Sequence, residues 1–148
     1  MNCADFYRLA PNRVWRTYLG GATLDAISGN TAPADSHFPE DWILSATRAV
    51  NAGRESVEEG VSRVVTESGE LLLTELVDRF PEEILGAAHL AKFGKRTGFL
   101  LKYLDSSIRL HLQCHPSIPF ARKYLHSECG KSEGYYILGV RPGCEGYI

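Results

Sequence analysis

Residues 99–115 constrain the fold more than any other stretch of the chain. Two apolar runs, residues 99–104 and 108–115, flank the sequence Asp105-Ser106-Ser107. Asp and Ser favour turns because their short side chains hydrogen-bond to the neighbouring backbone. The pattern therefore predicts a β-hairpin.

The second run alternates strictly between polar and apolar residues. Successive side chains of a strand point to opposite faces, so one face would carry a row of four polar groups. These groups are Arg109, His111, Gln113 and His115. The row suits either a solvent-facing sheet surface or the inner wall of a barrel or groove.

The same row contains candidate metal ligands. Gln113 and His115 would point the same way and could both reach one ion, since zinc and similar cations bind imidazole nitrogen and carboxylate or amide oxygen. Glu133, in a third strand-like run at residues 132–138, could supply a third ligand. The alternative is a half-buried histidine on a strand with an unrelated glutamate 18 residues later.

Two lysines accompany these candidates. Lys131 would share a strand face with Glu133, where it could bind a substrate anion or transfer protons. The alternative is a solvated lysine in a loop. Lys102 lies within the apolar sequence FLLKYL. A lysine there either protects a sheet edge or points into a polar cavity.

Composition excludes several classes of function. A chain of 148 residues predicts one domain, and its net charge of −2 gives no indication of nucleic-acid binding. No run approaches the roughly 18 apolar residues of a membrane span, and the first residues lack a signal-peptide pattern. The four cysteines are scattered without a CxxC pair, which predicts a reducing, cytoplasmic setting.

The rest of the chain predicts further strands and helices. Strands are expected at residues 14–18 and 41–47, and a helical insertion at about 56–92. The strongest signal in the insertion is the helical spacing of its apolar residues. Pro81 would end that helix and begin a second one, which Gly86 would end. The spaced residues are Leu73, Leu76, Val77 and Phe80. Residues 120–126 predict one or two helical turns, and residues 145–148 a strand that has only begun.

Three motifs in this order resemble those of the type I phosphomannose isomerases, which are zinc enzymes of the cupin fold. The family carries an apolar strand with an embedded lysine, then Q-x-H-P, then K-x-E before an aromatic strand. Here these are Leu100-Leu101-Lys102-Tyr103-Leu104, Gln113-Cys114-His115-Pro116, and Lys131-Ser132-Glu133-Gly134-Tyr135-Tyr136. The resemblance covers nearly all of the chain and is closest in character to the shorter bacterial members.

The resemblance implies a fold and a reaction. The fold would be mainly β (α+β), an incomplete cupin-like jelly-roll sandwich with a small helical insertion. The reaction would interconvert mannose 6-phosphate and fructose 6-phosphate by moving a proton between C1 and C2 through an enediol. One zinc ion per chain would be held by Gln113, His115 and Glu133. Lys102 and Lys131 would be catalytic and would bind the sugar phosphate, together with Arg109 and His111.

Two departures from the family keep other functions open. The family's further histidine ligand and its active-site arginine lie downstream of K-x-E, and no histidine follows Glu133 here. We therefore expect a chain truncated at its C-terminus, with an open sheet edge through which a homodimer could form. The alternatives to an isomerase are a non-catalytic cupin that binds a sugar phosphate or metal, and a strand-pairing assembly module.

Overall fold

Within residues 6–144, which the computed structural model describes, six short strands form two three-stranded antiparallel sheets. All six strands belong to the first of two compact units, which divide after Leu110. The strands are β1 (Arg8–Leu9), β2 (Arg13–Val14), β3 (Glu40–Ser45), β4 (Arg63–Thr66), β5 (Gly69–Leu72) and β6 (Leu100–Leu104). The helices are α1 (Ala22–Ile27), α2 (Leu73–Arg79), α3 (Pro81–Leu85), α4 (Ala87–Phe93) and α5 (Ile118–Tyr124). The fold is mixed α/β, which is consistent with the expected incomplete β-rich fold.

One sheet has the strand order β2-β3-β6 and contains the predicted apolar strand with its lysine. Its register pairs Glu40 with Leu104 and Ser45 with Leu100, with an irregularity between them on β3. Along β6 the exposed residues alternate with partly buried ones, so that Lys102 shares the inner face with Leu100 and Leu104. Val14, Trp42 and Ala49 form the buried cluster beside this sheet.

The other sheet has the order β1-β4-β5 and packs against α2. Its core consists of Val64, Leu73, Leu76 and Val77. The helical spacing therefore predicted α2 correctly, because three of the four spaced residues are buried on one side of that helix. The predicted roles of Pro81 and Gly86 are also confirmed, since Pro81 begins α3 and Gly86 caps its C-terminus at a φ of 80°.

The boundaries of the predicted helical insertion are wrong. Residues 63–72, inside the predicted range of about 56–92, form the antiparallel pair β4 and β5. The helical part begins only at Leu73 and runs to Phe93. The β-branched pair Val64 and Val65 explains the difference, because such side chains fit a pleated sheet better than a helix.

Two further predicted strands are absent from the described part of the chain. Residues 108–115 and 132–138 carry no regular secondary structure, so β6 is not followed by the second strand of a hairpin. The side chains of Leu112 and Tyr136 are 103% and 88% exposed. Alternation of polar and apolar residues shows only that a segment would suit a half-buried strand. Within the described sheets, no neighbouring strand pairs with either segment. The strand predicted at residues 145–148 lies outside the described residues.

The second unit, described from His111 to Cys144, is built around α5. This helix confirms most of the turns predicted at residues 120–126. Ser117 caps it by accepting a hydrogen bond from the Phe120 backbone N–H, and Ala121 is buried. Among the described helices of both units, none has the length and apolar character needed to cross a membrane.

Three segments of the first unit meet at Gly20. It forms isolated β-bridges to Ser36 and to Ser106. A Cβ at this position would lie 1.9 Å from the Asp105 carbonyl oxygen. Because the obstructing atom belongs to the backbone, the segments must separate to accommodate any side chain.

We predict that Gly20→Ala lowers the free energy of unfolding by about 1–3 kcal/mol or more, the usual cost of overpacking. Urea denaturation followed by circular dichroism measures this change. Gly139→Ala is the control, because a Cβ there meets nothing within 4 Å and its backbone has no positive φ. Equal stability of the two variants would contradict the close approach.

Candidate functional site

His115 and Glu133, two of the three predicted metal ligands, meet in the second unit. His115 Nε2 lies 3.2 Å from Glu133 Oε2. Both atoms are shielded from solvent, yet they approach without the alignment of a hydrogen bond. These two side chains, 18 residues apart in the sequence, are thus close together, although not on the adjoining strands that were expected. Their role as metal ligands stays a prediction.

Backbone contacts explain how the chain brings them together. The Lys131 N–H donates a hydrogen bond of 3.0 Å to the Pro116 carbonyl, directly beside His115. Gly130 permits this approach, because a Cβ there would lie 2.6 Å from the same carbonyl oxygen. The segment from Pro116 to Lys131 contains α5 and connects His115 to Glu133, and the hydrogen bond between its two ends brings these side chains together.

Glu133 has two further neighbours. Lys131 Nζ lies 3.0 Å from Glu133 Oε2, and the Tyr135 hydroxyl donates a 2.8 Å hydrogen bond to Glu133 Oε1. Lys131 thus takes the position beside Glu133 that the K-x-E spacing predicted. Tyr135 was not among the predicted site residues. The available signal was its position two residues after Glu133, which would place both side chains on one face of a strand.

The geometry of this pair fits a divalent metal ion. Two ligands of a tetrahedral zinc ion with bonds of about 2.0–2.2 Å lie about 3.3–3.6 Å apart. The separation of His115 Nε2 and Glu133 Oε2 is 3.2 Å, close to that value. Glu133 Oε2 already has the Lys131 ammonium 3.0 Å away, so a metal ion bound here would share this oxygen with that lysine.

The other predicted residues of this region lie on the surface. Gln113 and His111 are exposed in the second unit, and Arg109 is exposed in the first. In the described residues no group of three or more His, Cys, Asp or Glu side chains is arranged to hold a metal. The third ligand assigned to the amide of Gln113 and the substrate contacts assigned to Arg109 and His111 remain predictions.

Lys102 belongs to a different cluster, in the first unit. It binds Glu40, a carboxylate with only 3% of its surface exposed. Glu40 Oε1 accepts from the Tyr18 hydroxyl and from Lys102 Nζ at 3.2 Å, and Glu40 Oε2 accepts from Arg16 Nε at 3.0 Å and Trp42 Nε1 at 2.6 Å. An ionised carboxylate offers about four acceptor positions, so the protein uses all of them. Of the two interpretations of Lys102, the structure supports an inward position against polar groups.

The cluster follows from the sheet that contains it. Glu40 and Trp42 are two residues apart on β3 and share its buried face, while Lys102 reaches them from the inner face of β6. Tyr18 and Arg16 follow β2. Sequence reasoning missed Glu40, Arg16 and Tyr18; the available signal was that Glu40 shares a face with buried Trp42 and therefore needs buried partners.

The charge state of Glu40 follows from its partners. Burial raises the pKa of its carboxyl, but the hydrogen bonds from Tyr18 and Trp42 and the charges of Lys102 and Arg16 together hold the pKa below the ordinary value of a glutamate. A carboxylate with a lowered folded-state pKa stabilises the protein above its unfolded-state pKa. That stabilisation is lost as the pH falls through the folded-state value.

No protein-family model, no curated protein sequence and no solved structure matches this chain.

We predict that Glu40→Gln lowers the free energy of unfolding at neutral pH by about 3–5 kcal/mol, because it leaves two cations without their shared carboxylate. The variant should also lose part of the stability decrease that the wild type shows on acidification below about pH 4.5. Urea denaturation across this pH range measures both effects. Asp78→Asn is the control, because the Lys95–Asp78 pair is exposed and contributes at most about 1 kcal/mol.

Proposed function

We propose that this chain is a metal-dependent aldose–ketose isomerase that interconverts mannose 6-phosphate and fructose 6-phosphate, as the type I phosphomannose isomerases do. The observation that carries the proposal is the close approach of the buried atoms His115 Nε2 and Glu133 Oε2. It is supported by the order of the three motifs along the sequence, which includes both ligands and both lysines.

His115 and Glu133 would hold one zinc ion per chain, with the amide of Gln113 as the third ligand. When bound, a divalent ion supplies a positive charge that polarises the carbonyl and hydroxyl oxygens of a sugar. Glu133 is kept in place by the Tyr135 hydroxyl, which fixes its other oxygen. Such an outer contact orients a ligand and commonly matters 10–100-fold for metal affinity.

The two lysines would serve the substrate. Lys131 is half exposed and lies 3.0 Å from Glu133 Oε2, so its ammonium can bind an anionic sugar or transfer a proton at C1 or C2 beside the ligand pair. Lys102, held by Glu40 in the first unit, would bind a phosphate dianion there. The resemblance also assigns sugar-phosphate contacts to Arg109 and His111, which are both exposed.

The proposal includes the finer description of the fold as a cupin-like jelly roll. Support comes from the two antiparallel sheets, each of three strands, and from the helices inserted before β6. A jelly roll normally has eight strands in two sheets.

The second candidate is a non-catalytic cupin that binds a metal or a sugar phosphate. It rests on the same pair of buried atoms, His115 Nε2 and Glu133 Oε2, which can hold an ion whether or not a reaction follows. Two or three ligands can retain an ion without providing the geometry that turnover requires.

A third candidate is a strand-pairing module, in which β6 joins a second copy of the chain to form a homodimer. β6 is the last strand in its sheet order and exposes Leu101 and Tyr103. Unpaired strand edges of this kind readily accept another strand.

We predict that His115→Ala and Glu133→Ala each weaken zinc binding by more than about 100-fold while the fold remains, because changes outside the ligand shell alone already cost 10–100-fold. Metal content after dialysis and titration with zinc measure the effect. His89→Ala is the matched control, because this half-buried histidine lies in the first unit and contacts the Arg96 carbonyl and the Phe93 ring, neither of which is a metal ligand. Zinc bound by either ligand variant as tightly as by the wild type would show that the ligands are wrong.

An assay of mannose 6-phosphate conversion with zinc-loaded protein separates the candidates. Zinc with turnover supports the isomerase, and zinc without turnover supports the binding protein. A dimer that contains no zinc and that dissociates into monomers when Leu101, on the exposed face of β6, is replaced by Lys supports the assembly module.

A further inference from the structure

Arg16 is more tightly fixed than a surface arginine. Its Nε binds Glu40 Oε2 at 3.0 Å, and its Nη1 donates to the Trp15 carbonyl at 3.1 Å and to Asn51 Oδ1 at 3.2 Å. Its guanidinium also lies over the Trp42 ring, 4.8 Å from the ring centroid. The orientation of the guanidinium plane is therefore set before any ligand arrives.

The positive charge of Arg16 is only partly offset by its neighbours. Glu40 divides its single negative charge between Arg16 and Lys102. The remaining partners of Arg16 are the neutral oxygens of Trp15 and Asn51. Glu59, the carboxylate on the other side of Asn51, is paired with Arg54 at 3.6 Å.

Solvent still reaches both cations that Glu40 holds. The side chains of Arg16 and Lys102 are 18% and 21% exposed. The contacts of Arg16 within the described residues use Nε and Nη1, so Nη2 remains for a ligand. Partial burial strengthens the attraction of such cations for an anion, since the effective dielectric constant is lower than in water.

We propose that Arg16 and Lys102, oriented by Glu40, form a binding site for the phosphate group of a phosphate monoester. A guanidinium with a fixed plane suits phosphate because its N–H groups match the spacing of the phosphate oxygens, while lysine adds a point charge. The identification of that monoester as a hexose 6-phosphate rests on the proposed function. Arg16 thereby becomes a specificity residue for phosphorylated over unphosphorylated sugars, and Glu40 its positioning residue.

Titration of the metal-free protein with inorganic phosphate, followed by calorimetry, tests the proposal. We expect saturable binding by the wild type and binding at least about tenfold weaker for Arg16→Gln and for Lys102→Gln. Arg16→Lys keeps the charge but loses the planar fork, so its affinity should fall between those of the wild type and Arg16→Gln. Phosphate should also raise the melting temperature of the wild type, because it binds the folded state alone.

Arg13→Gln is the matched control. Arg13 is 21% exposed, nearly as buried as Arg16, but it forms a balanced pair with Asp25 at 2.8 Å. Its removal should leave phosphate affinity within about twofold of the wild type. Equal losses for Arg13→Gln and Arg16→Gln would mean that the anion responds only to overall charge, and would overturn the site.

The outcome is independent of the metal proposal. Zinc retention at His115 and Glu133 without phosphate binding by folded wild-type protein overturns the phosphate site and leaves the metal site standing. Phosphate binding that depends on Arg16, without zinc retention, supports the anion site and overturns the isomerase. If Arg16→Gln does not fold, the affinities of Lys102→Gln and Arg16→Lys still decide between the two results.

Discussion

The first unit depends on one buried negative charge. Glu40 carries it in a sheet whose buried apolar cluster is small, so the cost of removing the carboxylate from water must be offset by its donors. Those donors come from β3, from β6 and from the segment that follows β2. The carboxylate therefore joins all three parts of the sheet, and its four contacts fix side chains that apolar packing alone would leave free to rotate.

The parts of the fold that the sequence predicted are those governed by local rules. The spacing of the apolar residues in α2 and the positions of Pro81 and Gly86 act within a few residues of chain. The strands expected at residues 108–115 and 132–138 depended on a partner elsewhere. Alternation records which face a strand would bury, but a hydrogen-bonded ladder also requires a second strand, which local sequence does not specify.

The candidate site divides in the same way. His115, Lys131 and Glu133 were predicted from motif spacing, and the backbone contact between Pro116 and Lys131 accounts for their meeting. The cluster around Glu40 was not predicted as a unit. Arg16 and Tyr18 lie in the strand expected at residues 14–18, but β2 ends at Val14. Their spacing of two residues would place them on one strand face, yet it does not show which residue more than twenty positions away they contact.

The two carboxylates differ in what they can still do. Every acceptor position of Glu40 is used by a donor of the protein, so it can orient cations but has no lone pair left for a metal ion. Glu133 Oε2 instead faces the unaligned Nε2 of His115, and both atoms are buried. Glu133 Oε2 also lies 3.0 Å from Lys131 Nζ, so this carboxylate has a cationic neighbour as well. What distinguishes Glu133 is that a histidine nitrogen, a group that binds metal ions, lies beside it, whereas the four contacts of Glu40 all come from hydrogen-bond donors. This difference in neighbours is the basis for proposing a positioning role for Glu40 and a ligand role for Glu133.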